Sequence, residues 1–148
     1  MTLVRIPFQA AARAGAVQLL TDFKADVGIN LQIYPGRPRS VQPPTAFIDS
    51  INETIGDYFA TQRQRQPSVE VIVLHGVFDY AETVSQRDAF VDGFLDWVAD
   101  RFHAFGANTL VEVTSVTDIP VYVPDWQPPE QQRQYYGTRI TLEGLATT

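Results

Sequence analysis

The spacing of apolar residues along the chain predicts two helices and five strands. Residues 8–27 set Phe8, Ala12, Ala16, Leu19, Phe23 and Val27 along one helical stripe, with Pro7 suited to the first turn and Gly28 to the C-terminal stop. Residues 29–34 read as a short strand ended by Pro35-Gly36, and the segment PGRPRSVQPP after it holds too many prolines for a helix. In residues 46–55, Phe47, Asp49, Ile51, Glu53 and Ile55 fall on one side of an extended chain, which describes a strand with mixed faces. Residues 56–66 are expected to hold a short turn of helix before the polar tract QRQRQ.

The second half is more regular. In residues 69–78, Val71, Val73 and Val77 point one way and Ile72, Leu74 and Phe78 the other, and apolar residues on both faces mark a central strand. Residues 84–105 follow as a helix roughly 30 Å long. Thr83 and Gln86 fit a capping box, and Gly106 fits the C-terminal cap. Its stripe is Val84, Val91, Phe94, Leu95, Val98, Phe102 and Phe105. Residues 110–116 and 135–145 supply the last strands, joined by the loop DIPVYVPDWQPPEQQ. Consecutive strands without a helix between them imply mostly antiparallel pairing. The expected fold is therefore α/β of the α+β kind: a central, mostly antiparallel five-stranded sheet packed by two helices, in the order α-β-β-β-α-β-β.

Composition narrows the function. With 148 residues, of which 45% are hydrophobic, the chain suits one domain spanning residues 1–148. No apolar run approaches the roughly 18 residues of a membrane-spanning helix, and the first residues lack the apolar block and cleavage site of a signal peptide. The absence of cysteine removes disulfides and thiolate metal sites. Residues 1–66 carry seven Lys/Arg against five Asp/Glu, and residues 67–148 four against twelve. An acidic chain of this kind suits no tight DNA complex, because phosphate contacts dominate that affinity. Its uneven charge fits either two differently solvated surfaces or complementary contact with a partner or another copy.

Few residues suggest chemistry. His75 lies mid-strand and, with Asp79, forms the one conceivable acid–base pair, although no Ser or Cys nucleophile sits in a recognisable motif nearby. The plainer reading is a histidine satisfied by a hydrogen bond in a core or interface. His103 suits a position near a helix C-terminus. Two isolated histidines and no cysteine make no transition-metal site, and no cofactor is expected.

Asp88, Asp92, Asp96 and Asp100 recur every fourth residue, along a ridge that drifts by about 40° per step. Like charges at this spacing repel. The ridge is a solvated acidic face, an electrostatic surface, or a weak Mg²⁺ or Ca²⁺ site. Arg37, Arg39, Arg63 and Arg65 lie in two polar segments, where they are solvated or pair with the acidic ridge of a neighbouring copy. Tyr122 and Trp126 stand among Pro120, Pro124, Pro128 and Pro129, so this loop is either a stiff contact arm or folded onto its own core.

Three blocks, AFIDSINETIGDY, VLHGVFDYAETVSQRDAFVDGFLDW and IPVYVPDWQPPEQQRQYYGTRITLEG, resemble the tail terminator family of long-tailed bacteriophages and prophages, also called tail completion or minor tail protein U-like. The resemblance covers roughly residues 30–145 and rests on overall pattern and block order. It implies an α/β fold with a mostly antiparallel sheet and two helices. It also implies a hexameric ring at the head-proximal end of the tail, built in the host cytoplasm, which caps the tail tube and offers a surface to the head–tail connector protein. The family has no catalytic residues to carry over. Its partners are other copies, the tail tube protein and the connector, with DNA passing through the lumen without specific binding and no membrane involved. The Asp88–Asp100 ridge then suits an acidic channel lining that repels phosphate. Head–tail connector proteins have a similar size and role. A small enzyme using His75 and Asp79, or a host regulatory binding domain, are the readings from other classes.

Overall fold

The computed structural model describes residues 8–59, 62–77, 81–99 and 110–147. Helix α1 (Phe8–Val27) leads into β1 (Gln32–Tyr34), β2 (Thr45–Phe59) and β3 (Gln62–Val77). Helix α2 (Ala81–Ala99), β4 (Leu110–Tyr122), a 3-10 turn (Pro129–Gln131) and β5 (Tyr135–Thr147) complete the chain. The fold is α+β, in the order that the periodicity predicts. The sheet runs β1-β2-β3-β5-β4, with β1 parallel to β2 and every other pair antiparallel.

Both helices lie on one face of the sheet. Ala12, Ala16, Leu19, Leu20 and Phe23 of α1 and Phe94, Trp97 and Val98 of α2 pack with Ile48, Val69, Val71, Val73, Ile140 and Leu142 of the strands. The small Ala12 and Ala16 suit a close approach of α1 to the sheet. Phe23 sets its ring edge to face against Phe90, Phe94 and Trp97, with centroids 5.5, 5.2 and 5.5 Å away, so one aromatic ties α1 to α2. Helix α1 stops where Gly28 takes a φ of +75° and donates its N–H to the Lys24 carbonyl at 2.9 Å, a conformation that costs glycine nothing. The opposite face has its own small core of Phe47, Ile72, Leu74 and Tyr135, covered by Tyr34, Val41, Ile119, Tyr122 and Trp126.

Several expected details are corrected. Residues 56–59 and 62–66 are strand, so β2 and β3 form one long hairpin where a turn of helix was expected. Phe47 and Ile51 do not share a face: a bulge at Asp49 shifts the register between Ile48 and Ser50, which moves Ile51 to the helix side. Helix α2 begins at Ala81, so Thr83 is a buried residue of its first turn and not its cap. Val84 and Leu95 are exposed, and Trp97 takes a place in the buried stripe. Val27 is exposed as well. Strand β4 continues through Pro120 to Tyr122; it is an edge strand, where a missing N–H need not break the ladder. Pro7, Phe78, Phe102, Phe105 and Gly106 lie outside the described residues. Neither described helix is long and apolar enough to cross a membrane.

Candidate functional site

His75 sits under α2 at the buried end of a polar network that reaches the surface at Asp88 and Asp118. Its Nε2 lies 2.8 Å from Thr138 Oγ1, and its ring meets Phe90 at 5.3 Å. Arg87 Nε donates to the same Thr138 oxygen at 3.3 Å. The hydroxyl thus accepts from arginine and has its own proton for His75 Nε2, an arrangement that suits a neutral ring. Burial, and then the Arg87 charge, push the His75 pKa down to about 4. Arg87 also bonds Asp88 Oδ1 at 2.9 Å and pairs with Asp118, whose other oxygen accepts from Tyr136 Oη at 3.2 Å. Burial and the Asp118 carboxylate raise the Tyr136 pKa. The network pins the N-terminal half of α2 to β3, β4 and β5, and leaves His75 only 5% exposed. A close fit supports it: a Cβ on Gly76 would come within 2.9 Å of Thr83 Oγ1. Asp79, the other half of the conceivable acid–base pair, and His103 lie outside the described residues.

On the opposite face, the two proline-rich loops hold each other. Trp126 Nε1 donates to the Pro38 carbonyl at 2.8 Å and Gln127 Nε2 to the Arg39 carbonyl at 3.2 Å, while Arg13 bonds the Pro35 carbonyl from α1. Phe47 lies beneath, 5.4 Å from Trp126 and 6.2 Å from Tyr122. Burial pushes the Tyr122 phenol up to about 12, with Asp49 adding to the shift. The Tyr122 and Trp126 rings therefore pack on their own chain. Arg37 stacks over Trp126 at 5.1 Å and lies 3.6 Å from Asp49, while Arg39 is exposed. Arg63 and Arg65 are paired in β3, opposite Tyr58 and Ile55 of β2, and do not belong to a loop.

This clamp has a direct test. Trp126→Ala removes both the ring over Phe47 and the bond to Pro38. Trypsin cleavage after Arg39 should speed up by about tenfold, the equivalent of about 1.4 kcal/mol of lost loop order. An unchanged cleavage rate would show that the loop is held by something else.

Asp88, Asp92 and Asp96 are all exposed along α2, and Asp100 lies outside the described residues. Among the described residues, no three His, Cys, Asp or Glu converge as a metal-binding group. The residues missed by sequence reasoning are Arg87, Thr138, Asp118, Tyr136 and Arg139. Arg87 had a signal: it is the one basic residue of α2 and stands four positions after Thr83 and three before Phe90, in phase with the buried stripe. Searched against models of known families the chain matches none, and no curated protein matches it.

Proposed function

We propose that this chain is a structural subunit of a long-tailed bacteriophage or prophage tail. Copies form a ring, hexameric by the resemblance above, that caps the tail tube, ends its polymerisation and presents a surface to the head connector. The observation that carries the reading is the unlike character of the two sides of the sheet. One side presents the exposed carboxylates of α2, and the other presents half-exposed arginines on and beside a loop held in place by Trp126 and Gln127. A ring of heterologous contacts needs two different surfaces on each subunit. The resemblance in residues 30–145 and the five-stranded sheet with two helices support the same reading. His75 is occupied by Thr138 and shielded by Phe90, which favours a structural role over proton transfer. The ring sits in the virion at the head-proximal end of the tail, after assembly in the host cytoplasm.

The deciding experiment is electron microscopy of a lysate from a phage or prophage lacking this gene. Overlong tail tubes beside full, tailless heads are expected, because nothing then stops tube growth. Unattached tails of normal length would transfer the protein to head–tail connection, and normal particles would remove it from tail assembly.

A further inference from the structure

The sheet's second face holds half-exposed cationic groups, one of which has a buried donor that its own chain leaves unmet. Arg139 projects from β5 on the side opposite Ile140 and Leu142, which pack under the helices. Its side chain is 42% exposed, and the carboxylate of Glu70 is 3.7 Å from Nε, too far for a hydrogen bond. Among the described residues, Arg139 Nε is buried without any hydrogen-bond partner. Arg37, 52% exposed, is likewise 3.6 Å from Asp49. Arg39 on the same loop is exposed. Among the described residues, Glu112 and Glu143, which pair with each other in register, lie toward the other end of the face, and Arg37, Arg39 and Arg139 share the loop-side half with the carboxylates of Asp49 and Glu70.

We propose that this half-face, with Arg37, Arg39 and Arg139, receives the α2 carboxylates of a second copy of this chain. The proposal rests on the ring reading and names the surfaces that meet in it. Asp88 to Asp96 spans about 12 Å of helix, which is between two and three strand spacings of about 4.8 Å. Carboxylates at this pitch fit guanidinium groups carried by a strand and its neighbouring loop, and Arg is the side chain best shaped to meet them. The giving and receiving surfaces are on opposite sides of one sheet. A two-fold dimer therefore leaves both unmatched, and each copy must use α2 toward one neighbour and its arginines toward the other. The sheet edges are poor alternatives: β1 is only three residues long, and bulges interrupt β4 near Thr114 and Pro120, features that hinder strand addition.

The native chain has no cysteine, so crosslinks can be placed without background. Thr117 pairs in register with Arg139 on the receiving face. A chain carrying both Asp92→Cys and Thr117→Cys should give, on oxidation, a ladder of disulfide-linked multimers, whereas each single variant stops at a dimer. Sedimentation velocity at low salt should show that Arg139→Glu or Asp92→Arg alone raises the self-association Kd by about tenfold, and that the two together restore it to within a few fold. Arg37→Glu, on a half-exposed loop position, should repeat the Arg139 result if Arg139→Glu folds poorly. Single reversals without effect, or a pair without rescue, would overturn the proposal; an acidic ridge facing the channel predicts that outcome. A chain that stays monomeric at millimolar concentration and forms no ladder would overturn it too. The tail-length result in the deletion lysate judges the ring reading separately.

Discussion

Replacing Phe23 by Ala should lower the unfolding free energy by about 4 kcal/mol, within the range for truncating a fully buried aromatic. Phe23 is 1% exposed and is the common partner of Phe90, Phe94 and Trp97. Its loss opens a cavity between two helices that share few other large contacts, and the Trp97 indole, which donates to Asp26 at 2.9 Å, loses the ring that places it. Rotation of Phe90 or Phe94 into the gap is opposed by their own stacking at 6.1 Å and by the contact of Phe90 with His75. A domain with 5–15 kcal/mol of stability, about the usual range, cannot absorb this easily. The midpoint of urea unfolding should fall sharply with an unchanged slope. A loss below about 1 kcal/mol would mean that α1 is held mainly by Leu19, Leu20 and the alanine contacts.

Sequence patterns disclosed the elements far better than the surfaces. The stripe of α1 as far as Phe23 and the two-sided apolar run of β3 as far as Leu74 were readable because burial there follows one period, but Val27 is exposed and the register shift at His75 places Val77 on the face opposite Val71 and Val73. The faces of β2 were not readable, since the bulge at Asp49 inserts one residue and reverses the alternation beyond it. The expected end of β4 at residue 116 leaves Pro120 in the loop, whereas β4 is an edge strand and tolerates a proline there. In α2, Trp97 is buried and Arg87 partly buried while Val84 and Leu95 are exposed, because the aromatic contact with α1 and the ion pair to Asp118 set the helix rotation. That partner is 31 positions away in sequence, beyond any local pattern. Arg139 stayed hidden for the same reason: nothing local says which side of β5 lies under helices.

Protonation at His75 should make the protein acid-labile well before its carboxylates titrate. In the unfolded chain the ring takes up a proton near pH 6.5, whereas in the fold it resists until about pH 4, because burial and the adjacent Arg87 disfavour a second cation. Between these values the unfolded state binds more protons, so stability falls as pH falls across that window and levels off below it. The interval corresponds to about 3 kcal/mol. Burial supplies the largest share and repulsion from Arg87 the next, while Asp118 and Asp88 pull the ring the other way and are outweighed. The slope between pH 6.5 and 5 is diagnostic, as ordinary carboxylates are silent there. His75→Gln, which keeps an acceptor for the Thr138 hydroxyl, should flatten that slope while keeping the fold at neutral pH. In NMR titration, His75 should stay neutral down to pH 5, with His103, the chain's other histidine, as an internal comparison. Equal slopes for the two proteins, or a His75 ring that titrates near pH 6.5, would show that Arg87 and Thr138 do not hold it neutral, and the polar pin on α2 would then need another explanation.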